Sequence, residues 1–264
     1  MVPLLTCNDL TVSYAPSAKP VVDGVSVQFA DGRFTALVGP NGCGKSTLIK
    51  AIMGFLPASS GSVLLNDTPL HGIGRRELAK RVAYLPQENY CPDYITLGEL
   101  VELGGYARYS LFGGPGERDR ALFMDALATV GLEGMASKPV NALSGGQRQR
   151  AWIAMILAQD ADTILLDEPV NHLDVHYQYA ILALIRSLTQ RGKTIVAVLH
   201  DLNLTSAFAD EVVMMHDGKV VSHSDTRTTI TADNVRRVFD FDADVFIRDE
   251  RLVCLPRNRT DVVT

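Results

Sequence analysis

Residues Gly39, Pro40, Asn41, Gly42, Cys43, Gly44, Lys45 and Ser46 fit the spacing G-x-x-x-x-G-K-[ST]. They stand directly after the apolar run 34–38 and before a helical pattern over 45–55. No other feature of the chain limits its fold as strongly. The three glycines let successive backbone N–H groups converge on one point, and a helix that begins there adds the positive end of its dipole. Such a loop cradles phosphate. Lys45 is placed to reach the β- and γ-phosphates of a nucleotide and Ser46 to offer its hydroxyl to Mg2+, with Thr47 close behind in the first helical turn. A chance match in a glycine-containing turn would not require a strand before it and a helix after it. Strand, loop and helix in that order begin an α/β architecture.

The rest of the chain extends this pattern. Residues 10–14 and 25–29 alternate as strands, with Asp31-Gly32 as a turn. Apolar runs at 82–85, 163–166 and 194–199, with a helix near 177–190, predict a buried parallel sheet. Between 88 and 143, loops rich in Gly and Pro separate helical patterns at 97–106 and 118–130, which predicts an inserted helical lobe. Asp217-Gly218 sits between apolar pairs and reads as a hairpin, and a short helix at 232–239 with one more hairpin is expected beyond it. The expected plan is one domain over 1–264. Its nucleotide-binding core covers about 1–87 and 144–220, the lobe about 88–143, and a short C-terminal extension about 221–264.

A second constellation lies at the end of the run 163–166. Asp167 and Glu168 emerge where a buried strand ends, and ligands of open parallel sheets bind outside the carboxyl ends of the strands. Asp167 is placed to hold a metal ion through its shell, and Glu168 to polarise an attacking water. Acidic residues after a strand are often plain helix caps; the phosphate loop in the same chain favours the catalytic reading. A third segment, Leu143 to Gln147, has two readings. Ser144 with Gln147 three residues on is a capping box for the helix that follows, and alone it would mean no more.

Composition excludes several classes. Lys and Arg number 25 against 30 Asp and Glu, with no block of five basic residues, which argues against a nucleic-acid partner. The longest unbroken apolar stretch, 151–158, is eight residues, where a membrane-spanning helix needs about 20. Cys7, Cys43, Cys91 and Cys254 are far apart, which suits neither a zinc site nor a disulfide framework and suggests a reducing compartment. The stretch Leu4 to Cys7 has the look of a lipoprotein cleavage site, but no positive charge precedes it and the apolar run is too short. The chain is read as cytoplasmic.

With Ser144, Gly145, Gly146 and Gln147 twenty residues before Asp167, and with the phosphate loop upstream, the chain resembles the ATP-binding-cassette ATPases over nearly its whole length. The resemblance implies a P-loop NTPase core with a mainly parallel sheet, an N-terminal antiparallel β subdomain and an inserted helical subdomain. It implies that Tyr14 stacks on adenine, that Gln87 touches Mg2+ and the attacking water and joins the core to the lobe, and that His200 contacts the γ-phosphate. Asn171 to Asp174 match the loop that crosses to a partner subunit. Two copies would pack head to tail, so that Ser144 and the N–H groups near Gly145 and Gly146 bind the γ-phosphate of ATP held by the other copy. The working unit is then a homodimer with two ATP molecules and Mg2+ at its interface.

Residues 94–104, 109–113, 147–154 and 199–203 are similar to the iron-siderophore importers, with haem and cobalamin importers as close relatives. This implies two integral-membrane permease subunits, an extracytoplasmic binding protein that acts indirectly, and a peripheral place on the cytoplasmic face of the inner membrane. Val170 stands where many relatives have Thr, which leaves the catalytic residues intact. Soluble cassette ATPases that act on DNA or ribosomes are the runner-up class. Those usually carry two cassettes or a long coiled coil, and neither is present here.

Overall fold

The computed structural model describes residues 3–15, 17–110 and 113–257. Elements are numbered along the chain. The first stretch holds strands β1 (Pro3–Val12), β2 (Val22–Ala30) and β3 (Phe34–Val38), helix α1 (Lys45–Ile52), and strands β4 (Ser60–Leu65) and β5 (Thr68–Pro69). The middle holds α2 (Arg75–Arg81), β6 (Val82–Leu85), α3 (Leu97–Gly104), α4 (Glu117–Thr129), α5 (Gly145–Ala158), β7 (Thr163–Leu166), α6 (Val175–Gln190) and β8 (Thr194–Val198). After it come α7 (Leu202–Phe208), the pair β9 (Glu211–His216) and β10 (Lys219–Asp225), and helices α8 (Thr226–Thr229) and α9 (Ala232–Phe239). Strands β11 (Ala243–Arg248) and β12 (Arg251–Pro256) follow. Two compact units share these elements: Met1–Leu70 with Ala197–Thr264, and His71–Val196.

In the first unit an antiparallel sheet runs β2-β1-β4-β5. Its inward residues are Leu5, Cys7, Leu10 and Val12 from β1, and Val25, Val27 and Phe29 from β2. The step from Cys7 to Leu10 breaks the two-residue period of a strand. Asp9 takes a left-handed φ of 45° and the register with β2 shifts there, so a bulge absorbs the extra residue and returns Leu10 and Val12 to the core. Asp9 is held by a mutual pair of bonds with Ser26: its N–H donates to Oγ at 2.9 Å, and Oγ donates back to its carboxylate at 3.0 Å.

The same unit carries β3, all five residues of which are buried, parallel to β9. β9 pairs in turn with β10 around Asp217-Gly218, the expected hairpin. Leu199, just past β8, donates its N–H to the Leu37 carbonyl of β3 at 3.1 Å. The expected helix over 45–55 is shorter, ending at Ile52, because Gly54 turns left-handed at φ 63° and Phe55 N–H bonds back to the Lys50 carbonyl.

In the second unit β7 lies between β6 and β8, parallel to β6, and is buried along its whole length. The expected helices of the 88–143 stretch are α3 and α4, and both pack on α5. α3 stops at Gly104 and passes into a short 3-10 turn, Gly105–Ala107. A β-carbon on Gly104 would run into the Met155 carbonyl of α5, so the two helices touch backbone to backbone. Helix α2 has one buried residue, Leu78, and was not foreseen.

Candidate functional site

The phosphate loop lies in the first unit, between β3 and α1. Gly42 and Gly44 are left-handed at φ 78° and 107°, and a β-carbon on Gly44 would stand 2.5 Å from the Val21 carbonyl oxygen. At Gly39 the Met215 carbonyl leaves no room for one either. Cys43 accepts an N–H bond from Gly218 on its carbonyl at 3.0 Å, so the β9–β10 turn braces the loop. Lys45 is only 5% exposed, and its ammonium donates to the carbonyls of Gly39 at 2.8 Å and Pro40 at 2.9 Å. These acceptors are neutral. A buried ammonium of this kind suits an anion such as phosphate.

Helix α1 begins at Gly44 with no side-chain cap and no acidic residue in its first turn, which leaves the positive end of its dipole without a side-chain counter-charge. Asn41 and Gly42 are exposed at the loop's crest, and Ser46 is half-buried at the helix start. Thr47 is buried and its hydroxyl lies 3.0 Å from the Tyr14 hydroxyl. Tyr14 is nevertheless 62% exposed, so its hydroxyl is tethered to the start of α1 while most of the side chain is open to solvent. His200, exposed, follows Leu199 in the same unit, and Asp201 next to it caps α7. Burial pushes the Cys43 thiol above its ordinary pKa, against the opposing pull of the Lys45 ammonium.

The carboxylates lie in the second unit, at the end of β7. Asp167 is 2% exposed, and its N–H donates to the Leu85 carbonyl at 2.8 Å, which carries the β6–β7 pairing to its end. Burial first, and then the Asp167 carboxylate, raise the pKa of Tyr84 on β6. Glu168 is left-handed, φ 54°, a conformation that costs a side-chain-bearing residue of order 1–3 kcal/mol and concentrates at functional sites. Its Oε2 accepts two amide bonds, from Gln87 Nε2 at 2.8 Å and from Asn171 Nδ2 at 2.7 Å. Gln87, Glu168 and Asn171 thus form one cluster. The sequence named all three, but gave Asn171 only a place in the loop 171–174; its bond to Glu168 was missed, although its place three residues later was visible.

Ser144 is the N-cap of α5. Its hydroxyl accepts from Gln147 N–H at 3.3 Å, and its own N–H donates to Gln147 Oε1 at 3.0 Å, so the capping box is real. Gly145 faces open space, whereas Gly146 is buried under the ring of Tyr177. Asp174 caps α6 by accepting from Tyr177 N–H at 3.4 Å. Among the described residues no group of three or more His, Cys, Asp or Glu could hold a metal ion. No helix among them is long and apolar enough to cross a membrane.

A G-x-x-x-x-G-K-S loop between a buried strand and a helix is the plan of a nucleotide-binding α/β protein. The sequence profile of the ABC transporter family matches residues 22–171, and the chain belongs to that family. Membership makes it an ATP-binding protein whose ATP hydrolysis is coupled to transport. ATP-binding subunits of the family dimerise and work with membrane permeases. The chain is 40% identical over 239 residues to the achromobactin transport ATP-binding protein of Dickeya dadantii, covering 90% of this chain and 88% of that one. It is 36% identical over 267 residues to the iron(3+)-hydroxamate import ATP-binding protein of Bacillus subtilis, covering 98% of each. A solved ABC transporter described as of metal-chelate type, in an inward-facing conformation, superposes with a TM-score of 0.84 at 25% identity over 98% of this chain and 99% of that chain.

Proposed function

We propose that the chain is the ATP-hydrolysing subunit of an importer for ferric siderophores, acting at the cytoplasmic face of the cell membrane on two separate permease subunits. An extracytoplasmic binding protein delivers the cargo to those permeases and meets this chain only through them. The observation that carries the proposal is the similarity to two siderophore-system ATPases over 90% and 98% of this chain, where the family profile alone matches 22–171. We assign 1–87 and 144–220 to the nucleotide-binding core, 88–143 to a helical lobe and 221–264 to a C-terminal extension.

The residues divide the work as follows. Tyr14 offers its exposed ring to adenine. The N–H groups of Gly39, Pro40, Asn41, Gly42, Cys43, Gly44 and Lys45, with the Lys45 ammonium and the start of α1, hold the phosphates, and Thr47 fixes the helix end beside them. Ser46, Asp167 and Gln87 would supply oxygen donors to Mg2+, the hard set that this ion prefers, and bound Mg2+ would offset phosphate charge. Glu168 takes a proton from the attacking water. The two amides on its Oε2 orient it, which suits a general base that must keep one geometry. His200 contacts the γ-phosphate. Ser144, Gly145, Gly146 and Gln147 with Asp174 serve the ATP held by a second copy, so the working unit is a homodimer.

The test is iron uptake. A strain lacking this chain is supplied with iron-labelled hydroxamate and catecholate siderophores. Uptake of at least one should be lost, restored by the native chain, and not restored by Glu168→Gln. Unchanged uptake of every ferric chelate with loss of haem or cobalamin uptake would reassign the cargo. Recovery of the tagged protein with ribosomes or nucleic acid, and with no permease, would overturn transport itself.

A further inference from the structure

The two glycines at the start of α5 have different surroundings. Gly145 has nothing within 4 Å of where a β-carbon would be. At Gly146 that position lies 2.8 Å from Tyr177 Cδ1, 2.9 Å from Cε1 and 3.1 Å from Cγ, so the ring packs directly against the start of the helix. Gly146 therefore serves close approach rather than an unusual φ. Tyr177 is itself bound into the neighbouring loop. Its N–H is the donor that Asp174 caps, and the next residue, Gln178, donates to the Leu173 carbonyl at 3.1 Å. One turn along α5, Gln149 donates to the Pro169 carbonyl at 2.6 Å, next to Glu168.

We propose that Tyr177 is a positioning residue that locks the N-terminus of α5 to the loop 171–174, so that Ser144, Gly145 and Asp174 move as one piece. The proposal rests on the homodimer reading above, in which those residues face the ATP of the second copy. The physical argument is one of leverage. α5 is 14 residues, about 21 Å long, and its other end is held by Arg108, which donates to the carbonyls of Ala158 and Gln159. At its N-terminal end, the Gln149 bond and the Tyr177 ring tie α5 to the carboxylate segment. Without the ring, the helix start keeps its capping box but not its alignment with Asp174. The contact is made by ring carbons, so the Tyr177 hydroxyl has no part in it.

The experiment is ATP-driven dimerisation in a Glu168→Gln background, followed by sedimentation velocity across ATP concentrations, with nucleotide binding to the monomer measured in parallel. Tyr177→Ala should leave monomer binding within about twofold and raise the ATP concentration for half-dimerisation about tenfold. In an otherwise native chain it should lower the Hill coefficient for hydrolysis toward one. Tyr177→Phe should behave as the native chain in every assay. Gly146→Ala should impair dimerisation by crowding the ring. The double variant Gly146→Ala/Tyr177→Ala should be no worse than Tyr177→Ala alone, a non-additivity that general loosening would not produce. If Tyr177→Ala fails to fold, Tyr177→Leu should give a smaller rise, and the Phe and double-variant comparisons still decide. Native-like dimerisation by a folded Tyr177→Ala or Tyr177→Leu overturns the proposal. Failure of Glu168→Gln itself to dimerise overturns the homodimer reading instead.

Discussion

Helices α1 and α5 begin in opposite ways. α1 starts at a left-handed glycine with no side-chain cap, no acidic first turn and a buried lysine whose acceptors are neutral. α5 starts at Ser144, with both members of a capping box in place and one glycine sealed under an aromatic ring. The first end carries a buried positive charge and no side-chain counter-charge in its first turn. The second is already capped by its own side chains, and its Ser144 and Gly145 are exposed. The difference suits a nucleotide held tightly by one end and sensed weakly by the other. A site that must open after each hydrolysis needs one contact that survives and one that lets go.

Removing the charge at the first end has the largest expected effect. Lys45→Ala should weaken ATP binding by about 10²- to 10³-fold, the scale for deleting one partner of a buried ionic contact. Calorimetric titration reads it directly, and an affinity within tenfold of native would show that the ammonium is not the loop's counter-charge. Glu168→Gln separates holding from cutting. ATP affinity should stay within about twofold while kcat falls by about 10²-fold or more, as for loss of a general base.

The second end should respond more mildly. Ser144→Ala removes the cap and should cost about 1 kcal/mol of stability, seen as a lower denaturant midpoint, with monomer ATP binding unchanged. A loss of monomer binding would erase the distinction between the two helix starts. The smallest effect concerns Cys43. Burial raises its thiol pKa, so less thiolate is present at about pH 8 and alkylation there should be slower than at the half-exposed Cys91. Faster labelling of Cys43, followed by peptide mass spectrometry, would mean that the loop is open to solvent.

The first end could be read from the sequence because its chemistry is local. Glycine and lysine spacing between Gly39 and Ser46 fixes the loop, and the apolar run before it fixes the strand. Asp167 and Glu168 were legible for the same reason, at the end of β7. What holds Glu168 was only half legible, since Gln87 comes from a strand end 81 residues away and its bond is made by the fold. Tyr177 on Gly146 left no local sign, as an aromatic in a first helical turn is an ordinary surface residue until a neighbouring helix is placed beneath it. Helix α2, Arg75–Arg81, went unseen because Leu78 alone is buried and no apolar period marks it. The bulge at Asp9 hid the start of β1 by breaking the alternation that identifies strands.

The proposed homodimer requires that α1 and α5 of different copies meet the same ATP. Sedimentation velocity of Glu168→Gln with and without ATP tests it, alongside Glu168→Gln/Ser144→Arg. The first protein should form an ATP-dependent dimer, and the second should stay a monomer that still binds ATP. A monomer at saturating ATP for Glu168→Gln, or equal dimerisation with arginine at position 144, would contradict it.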